Sequence, residues 1–109
     1  MRRYCLALDL ADDPQLIAEY EQWHRNVWPG IMNSIRSSGI EHMQIYRAGN
    51  RLFMIMEVNN AFSFEEKAKA DSSNAEVQEW ESLMWRFQRP LPFAKPGEKW
   101  VLMDKIFEL

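Results

Sequence analysis

The sequence contains few of the residues on which metal and cofactor chemistry usually depends. Its 109 residues include one cysteine, two histidines and four glycines. Cys5 cannot form an intrachain disulfide, and we expect it to be a small buried hydrophobic residue in an apolar strand. His24 and His42 fall on different predicted elements, with no further ligand at the spacing that zinc or iron sites use. We therefore expect no metal site.

Two motifs of nucleotide and acyl-transfer enzymes are also missing. The four glycines stand singly at the ends of predicted elements, whereas a phosphate-binding loop needs several of them close together. No serine stands in the nucleophile-elbow motif that hydrolases use. The sequence therefore implies no nucleotide cofactor and carries no signal of a serine nucleophile.

Charge and hydropathy exclude several classes of partner. Thirteen basic and sixteen acidic side chains give a net charge of −3, so we expect no nucleic acid partner and no anionic membrane surface. The longest apolar run, LFMIM at residues 52–56, is far shorter than a membrane span, and the N-terminus lacks the layout of a signal peptide. These features predict one soluble domain, residues 1–109, in the cytoplasm.

Hydrophobic periodicity and turn residues predict the element order β-α-β-β-α-β. An AGN turn joins the second and third strands, and three prolines stiffen the loop before the last strand. The predicted segments are a strand at 3–10, a helix from Pro14 to Trp28 that restarts at Pro29 and stops at Gly39, strands at 40–47 and 51–58, a helical region over 64–70 and 74–88, a loop at 89–97 and a strand at 99–109.

This order is typical of the α+β, ferredoxin-like split β-α-β fold, in which an antiparallel sheet carries both helices on one face. The strands are nevertheless apolar on both sides: Leu52 and Met54 alternate with Phe53 and Ile55. A large apolar face on a small domain usually marks an interface. We therefore expect a homodimer in which a second copy covers the second face.

His24 stands within the apolar stripe of the first helix rather than on its polar side. Tyr20 comes one helical turn before it and Trp28 one turn after it, so the sequence predicts that all three project from one face. Two interpretations remain open: a core histidine bonded to a backbone carbonyl, or a general acid/base. In the second case, His24 and Tyr20 suit proton transfer with an oxygen-rich substrate.

The run Tyr20-x-x-x-His24 followed by Val27-Trp28-Pro29, together with the later IY, LFMIMEV and VQEW stretches, resembles the L-rhamnose mutarotase family over essentially the whole chain. The resemblance implies a dimeric α+β barrel and cofactor-free interconversion of the α and β anomers of a 6-deoxy-L-hexose. It also implies that His24 is the general acid/base, and that Tyr20, Trp28 and Trp80 bind the sugar.

Two positions depart from the pattern of rhamnose-acting members. Rhamnose-acting members that resemble this chain carry a tyrosine on the second strand, at the position where this chain has Met43. They carry a second tryptophan directly after the position of Trp80, where this chain has Glu81. L-Fucose and L-rhamnose differ in configuration at C2 and C4, so such changes alter which hydroxyl can be bonded. We expect Met43 and Glu81 to contact the sugar, with L-fucose favoured and L-rhamnose as the alternative.

Other functions fit the same predicted fold. One is a non-catalytic module that binds small molecules, and another is a cofactor-free monooxygenase or decarboxylase on a similar dimeric barrel. An ionisable residue in the apolar stripe favours the enzyme. The sequence leaves open whether Glu57 or Glu81 assists His24, and what the proline-rich loop does.

Overall fold

The computed structural model describes residues 1–109 as an antiparallel sheet with four helices. The strand order β2-β3-β1-β4 is that of the split β-α-β arrangement, which confirms the predicted α+β fold. The elements are β1 (Arg2–Leu10), α1 (Pro14–Arg25), α2 (Pro29–Ser37), β2 (Ile40–Ala48), β3 (Arg51–Val58), α3 (Phe64–Ser72), α4 (Ala75–Trp85), β4 (Gln88–Arg89) and β5 (Val101–Leu102).

The first helical region is divided at a different point from the one predicted. Asp13 caps α1 by accepting hydrogen bonds from the amides of Gln15 and Leu16, as the capping pattern indicates. The prediction that this helix reaches Trp28 was wrong, because α1 ends at Arg25. Trp28 has φ −56° and ψ 135°, the extended conformation that a following proline favours. Trp28 therefore precedes α2 and does not belong to α1.

The last part of the sheet also differs from the prediction. Residues 99–109 were expected to form one strand, but only Val101–Leu102 pair with β1, and residues 104–109 have no regular structure. Gln88, expected at the end of a helix, instead begins β4. Both short strands pair with the same edge of β1, since β3 occupies the other edge. Pairing across such sequence distances leaves no local pattern, which explains the error.

The hydrophobic core lies between the helices and one face of the sheet. Leu8 and Val58 are fully buried there, and the core divides into one cluster around Tyr20 and Trp80 and another around Met56 and Phe62. The alternation of side chains along β1 and β3 puts Cys5, Ala7, Phe53 and Ile55 on the opposite face, where they are half-buried. That face carries no helix. No helix of the protein is both long and apolar enough to span a membrane.

Candidate active site

A cleft of about 750 Å³ opens between the helices and the inner face of the sheet. Its size lies within the range of pockets that hold small molecules. Its lining has two parts, one carried by helices and one by a loop. The helix wall consists of Tyr20 and His24 on α1 and Trp80 on α4, and the loop wall consists of Lys99 and Trp100 at the end of the segment between β4 and β5.

His24 stands in the last turn of α1 and is half-buried in the helix wall. Its Nδ1 lies 2.9 Å from the backbone oxygen of Tyr20, and because a carbonyl oxygen only accepts, Nδ1 carries the hydrogen. The imidazole ring lies 4.4 Å from the Tyr20 ring and 5.7 Å from the Trp80 ring, measured between centroids. This tautomer leaves the lone pair on Nε2, which makes no hydrogen bond within the protein.

Burial sets the protonation of both polar groups on the helix wall. Desolvation lowers the pKa of His24 below 6.5, although the hydrogen bond to the Tyr20 carbonyl opposes that shift. Burial raises the pKa of Tyr20 to about 12; the hydrogen bond from Gln88 opposes this shift and the charge of Glu81 adds to it. At neutral pH the wall therefore combines a neutral imidazole, which can accept a proton, with a phenol, which can donate one.

Gln88 is a buried polar residue of the site that sequence reasoning did not find. Only 3% of its surface is exposed, and its Nε2 donates to the Tyr20 hydroxyl oxygen at 3.3 Å. Its Oε1 is buried and has no hydrogen-bond partner. An unpaired buried amide oxygen costs roughly 1–3 kcal/mol, so its retention beside the cleft calls for a functional explanation.

The structure separates the two tryptophans that the sequence treated alike. Trp80 is buried and lines the cleft, with its ring edge-on to His24. Trp28 packs against Trp80 at 5.0 Å between ring centroids, but it does not line the cleft. The expectation that Tyr20, His24 and Trp28 share one helical face was wrong, because α1 ends before Trp28. Trp28 therefore supports Trp80 from behind.

Met43 and Glu81 both line the same cleft as His24, and the expectation that they contact the sugar stays a prediction. Glu81 is paired with Lys99, whose Nζ donates to Glu81 Oε2. Glu57 lies outside the cleft lining and faces Arg3 at 3.7 Å. Of the two carboxylates considered as helpers of His24, only Glu81 shares its cleft. His42 is exposed at the margin of the cleft.

Lys99 and Trp100 are the other cleft residues that the sequence gave no reason to choose. They follow the proline-rich loop and come close to α4 only because β5 pairs with β1. A contact between residues so far apart in the sequence leaves no periodic pattern that could predict it. Nowhere in the chain do three or more histidine, cysteine, aspartate or glutamate side chains form a group that could hold a metal ion.

The chain resembles known proteins in both sequence and fold. A profile of the L-rhamnose mutarotase family matches residues 3–109. The chain is 47% identical to an L-fucose mutarotase from Xanthomonas campestris pv. campestris, covering 100% of this chain and 89% of that protein. It is 30% identical to an L-rhamnose mutarotase from Yersinia pestis over 68% of this chain and 69% of that protein.

The fold agrees with these sequence matches. The crystal structure of an L-rhamnose mutarotase from Formosa agariphila superimposes with a TM-score of 0.73 at 16% identity, and the alignment covers 100% of this chain and 99% of that one. At 16% identity the superposition supports only the fold. The family profile and the two relatives match the amino-acid sequence as well. The chain belongs to the L-rhamnose mutarotase family.

Proposed function

We propose that this chain is a cofactor-free mutarotase that interconverts the α and β anomers of L-fucose, with L-rhamnose as the second candidate substrate. The observation that carries the proposal is the neutral imidazole of His24, which lines the cleft with Nε2 free to accept a proton. A module that only binds small molecules has no need of such a group. The 47% identity to an L-fucose mutarotase supports the choice of sugar.

The two polar groups of the helix wall account for ring opening. His24 Nε2 takes the proton from the anomeric hydroxyl, the electron pair of that O–H bond forms the C1=O1 double bond, and the C1–O5 bond breaks with its pair going to O5. The Tyr20 hydroxyl donates its proton to O5. After rotation about C1–C2, O5 adds to the other face of the carbonyl, O1 takes the proton held by His24, and Tyr20 recovers its own.

Apolar side chains of the cleft can hold the rest of the sugar. Trp80 offers an indole against the apolar face of the ring, and Met43 on β2 offers a thioether side chain near the 6-methyl group. Binding in such a site converts proton transfer into a step between groups already in position. The proposal keeps Tyr20, Trp80, Met43 and Glu81 as sugar contacts, and it gives Trp28 the role of supporting Trp80.

We also propose that the protein is a homodimer, formed through the sheet face that carries no helix. The centre of this face is apolar, with half-buried Phe53 and Ile55 beside the small Cys5 and Ala7. Light scattering of the purified protein should give the mass of two chains. Phe53→Asp should give one chain, whereas Ser82→Asp at an exposed position of α4 should not. A wild-type monomer would contradict the proposal, and the predicted cytoplasmic location stays a prediction.

The activity is tested by saturation-transfer NMR of the anomeric protons. Saturating the signal of one anomer should reduce the signal of the other in the presence of catalytic amounts of protein, because exchange carries the saturation across. L-Fucose, L-rhamnose and an unrelated aldose such as D-glucose are measured at equal concentration, with L-fucose expected to exchange fastest. Absence of catalysed exchange for every 6-deoxy sugar would refute the proposal.

Glu81 supplies a second test, of sugar identity. If its carboxylate accepts a hydrogen bond from a hydroxyl of L-fucose, Glu81→Gln should narrow the ratio of the L-fucose rate to the L-rhamnose rate. A misplaced hydroxyl contact costs roughly 1–3 kcal/mol, or about one to two decades in rate. A ratio untouched by this substitution would remove Glu81 from the selection of the sugar, and the role of His24 would still stand.

A further inference from the structure

The strand that pairs with the outer edge of β1 is interrupted by a long insertion. Asp9 pairs with Arg89 in β4, and Ala7 pairs with Val101 in β5. If the strand continued without a break, Leu91 would face Ala7. Ten residues are therefore looped out before the chain returns to the same edge. Pairing with β1 does not account for these ten extra residues.

The inserted loop, residues 90–100, has internal structure. Leu91 is buried and fixes its beginning, and two turns follow, in which Ala94 donates to the Leu91 carbonyl at 3.0 Å and Glu98 to the Lys95 carbonyl at 2.9 Å. Gly97 has a positive φ of 81° within the second turn, which a glycine adopts without strain. The loop ends at Lys99 and Trp100, both of which line the cleft.

Two lysines line the cleft: Lys67, which pairs with Asp71, and Lys99, most of whose side chain is removed from solvent. The Lys99 side chain is 14% exposed; its ammonium pairs with Glu81 Oε2 and lies 4.7 Å from the centroid of the Trp85 ring. An ammonium has three N–H donors, and the hydrogen bond to Glu81 uses one of them. The other two donors have no partner in the protein, and Oε1 of Glu81 has none either.

The two unused N–H donors of Lys99 and the free oxygen of Glu81 are therefore available to a ligand in the cleft. From these contacts we infer that Lys99, carried into the cleft by loop 90–100, is a specificity-determining residue that binds two neighbouring sugar hydroxyls on the same side of the ring. The inference rests on the proposed function. His24 acts at C1, so the hydroxyls farthest from the reaction, at C3 and C4, are those left for Lys99 and Glu81.

The configuration of the two sugars makes this arrangement selective. In L-fucose the C3 and C4 hydroxyls are cis, so one ammonium can donate to both oxygens while the free oxygen of Glu81 accepts from one of them. In L-rhamnose the C4 hydroxyl is equatorial instead of axial, so an ammonium placed on the axial side of C4 loses its hydrogen bond to O4. Lys99 thus favours L-fucose through hydroxyl geometry, and Glu81 fixes the ammonium in place.

Lys99→Met tests the inference because it keeps the aliphatic stem and removes only the charge and the donors. The rate of anomer exchange for L-fucose should fall about ten- to a hundredfold, and the rate for L-rhamnose should change much less, so that the ratio moves towards one. The 4-deoxy analogue of L-fucose should be exchanged slowly by the wild type and be nearly insensitive to the substitution. Lys95→Met, the same change at an exposed position of the same loop outside the cleft, should leave both rates unchanged.

A structural role for Lys99 gives a different pattern. If the residue only anchors the loop to α4, Lys99→Met should lower the rates for both sugars equally, and Lys99→Arg, which keeps the ion pair, should restore them. An unchanged ratio of the two rates in Lys99→Met would therefore overturn the inference. A thermal melt of each variant shows whether the fold is retained.

Binding separates failure of this inference from failure of the proposed function. Tryptophan fluorescence with L-fucose and L-rhamnose reports binding without turnover, since Trp80, Trp85 and Trp100 all lie at or beside the cleft. Selective binding of L-fucose that depends on Lys99, in a protein that catalyses no exchange, would refute the mutarotase proposal and sustain the role of Lys99. Catalysed exchange with a preference for L-fucose that does not depend on Lys99 would refute the role of Lys99 and sustain the mutarotase proposal.

Discussion

The helix wall and the loop wall of the cleft are built by different means. Tyr20 and Trp80 belong to the main hydrophobic cluster, and His24 lies against both of their rings. Lys99, by contrast, stands at the end of an eleven-residue loop that a two-residue strand attaches to the sheet. Proton transfer needs a desolvated and fixed imidazole, which a packed core supplies, whereas selection among hydroxyls can be placed on a loop.

The largest effect is expected from removing the base of the helix wall. His24→Asn keeps a side-chain N–H that can reach the Tyr20 carbonyl, but it removes the basic nitrogen. Anomer exchange should fall about a hundredfold or more, because that is the usual contribution of a general base. The rate is measured by saturation transfer on L-fucose, together with a thermal melt.

The same variant decides between the two interpretations of His24. A core histidine that only bonds a backbone carbonyl would allow a folded and active His24→Asn protein, and that outcome would remove His24 from the mechanism. Gln22→Asn, which introduces the same residue at an exposed position of α1 outside the cleft, serves as the matched control and should retain activity.

The next effect is a dependence on pH, which follows from the depressed pKa of His24. Its neutral form is the base, so kcat/KM should rise with pH and become constant above a midpoint that lies below 6.5. Below the midpoint the rate should fall about tenfold per pH unit as the imidazole is protonated. A pH series of exchange rates on L-fucose, corrected for the uncatalysed reaction, gives the midpoint.

Tyr20 determines the alkaline side of the same profile. Because its pKa is raised to about 12, the phenol keeps its proton at pH 10, where an ordinary tyrosine is half ionised. The plateau should therefore continue past pH 10. A midpoint above 6.5, or a decline centred near pH 10, would show that the helix wall does not hold His24 neutral and Tyr20 protonated at neutral pH.

A smaller loss of activity is expected for Gln88, which contacts the helix wall from β4. Gln88 donates to the Tyr20 hydroxyl oxygen, which leaves the hydroxyl hydrogen free to point at the sugar. Gln88→Met should lower the exchange rate by about tenfold, since one hydrogen bond is worth roughly 1 kcal/mol or somewhat more. Exchange rates and melting temperatures are compared with those of Gln78→Met, because Gln78 is exposed and does not line the cleft.

The melting temperature of Gln88→Met separates a role of Gln88 in the site from a role in the fold. Because Gln88 Oε1 is buried without a partner, an apolar residue at this position should leave the stability unchanged or raise it. A large loss of stability would assign Gln88 to the fold. A fully active Gln88→Met protein would show that Tyr20 needs no positioning.

The helix wall could largely be predicted from the sequence, and the loop wall could not. Tyr20 and His24 are four residues apart on one helix, so local periodicity places them together. The prediction put Trp28 on α1, which was wrong. The proline after it favours an extended backbone at Trp28, and this effect overrides the helical pattern. Gln88 and Lys99 reach the cleft through edge pairing with β1, across most of the chain length, and no local pattern records that pairing.

The unequal lengths of the strands have a consequence for hydrogen exchange. Eight residue pairs join β1 to β3, but only two join β1 to β4 and two join β1 to β5. Local opening costs least where the fewest bonds must break, so the amides of residues 101–103 should exchange with solvent well before those between β1 and β3. L-Fucose bound to Lys99 should slow exchange at those three amides most of all, because the sugar binds only while that edge is closed.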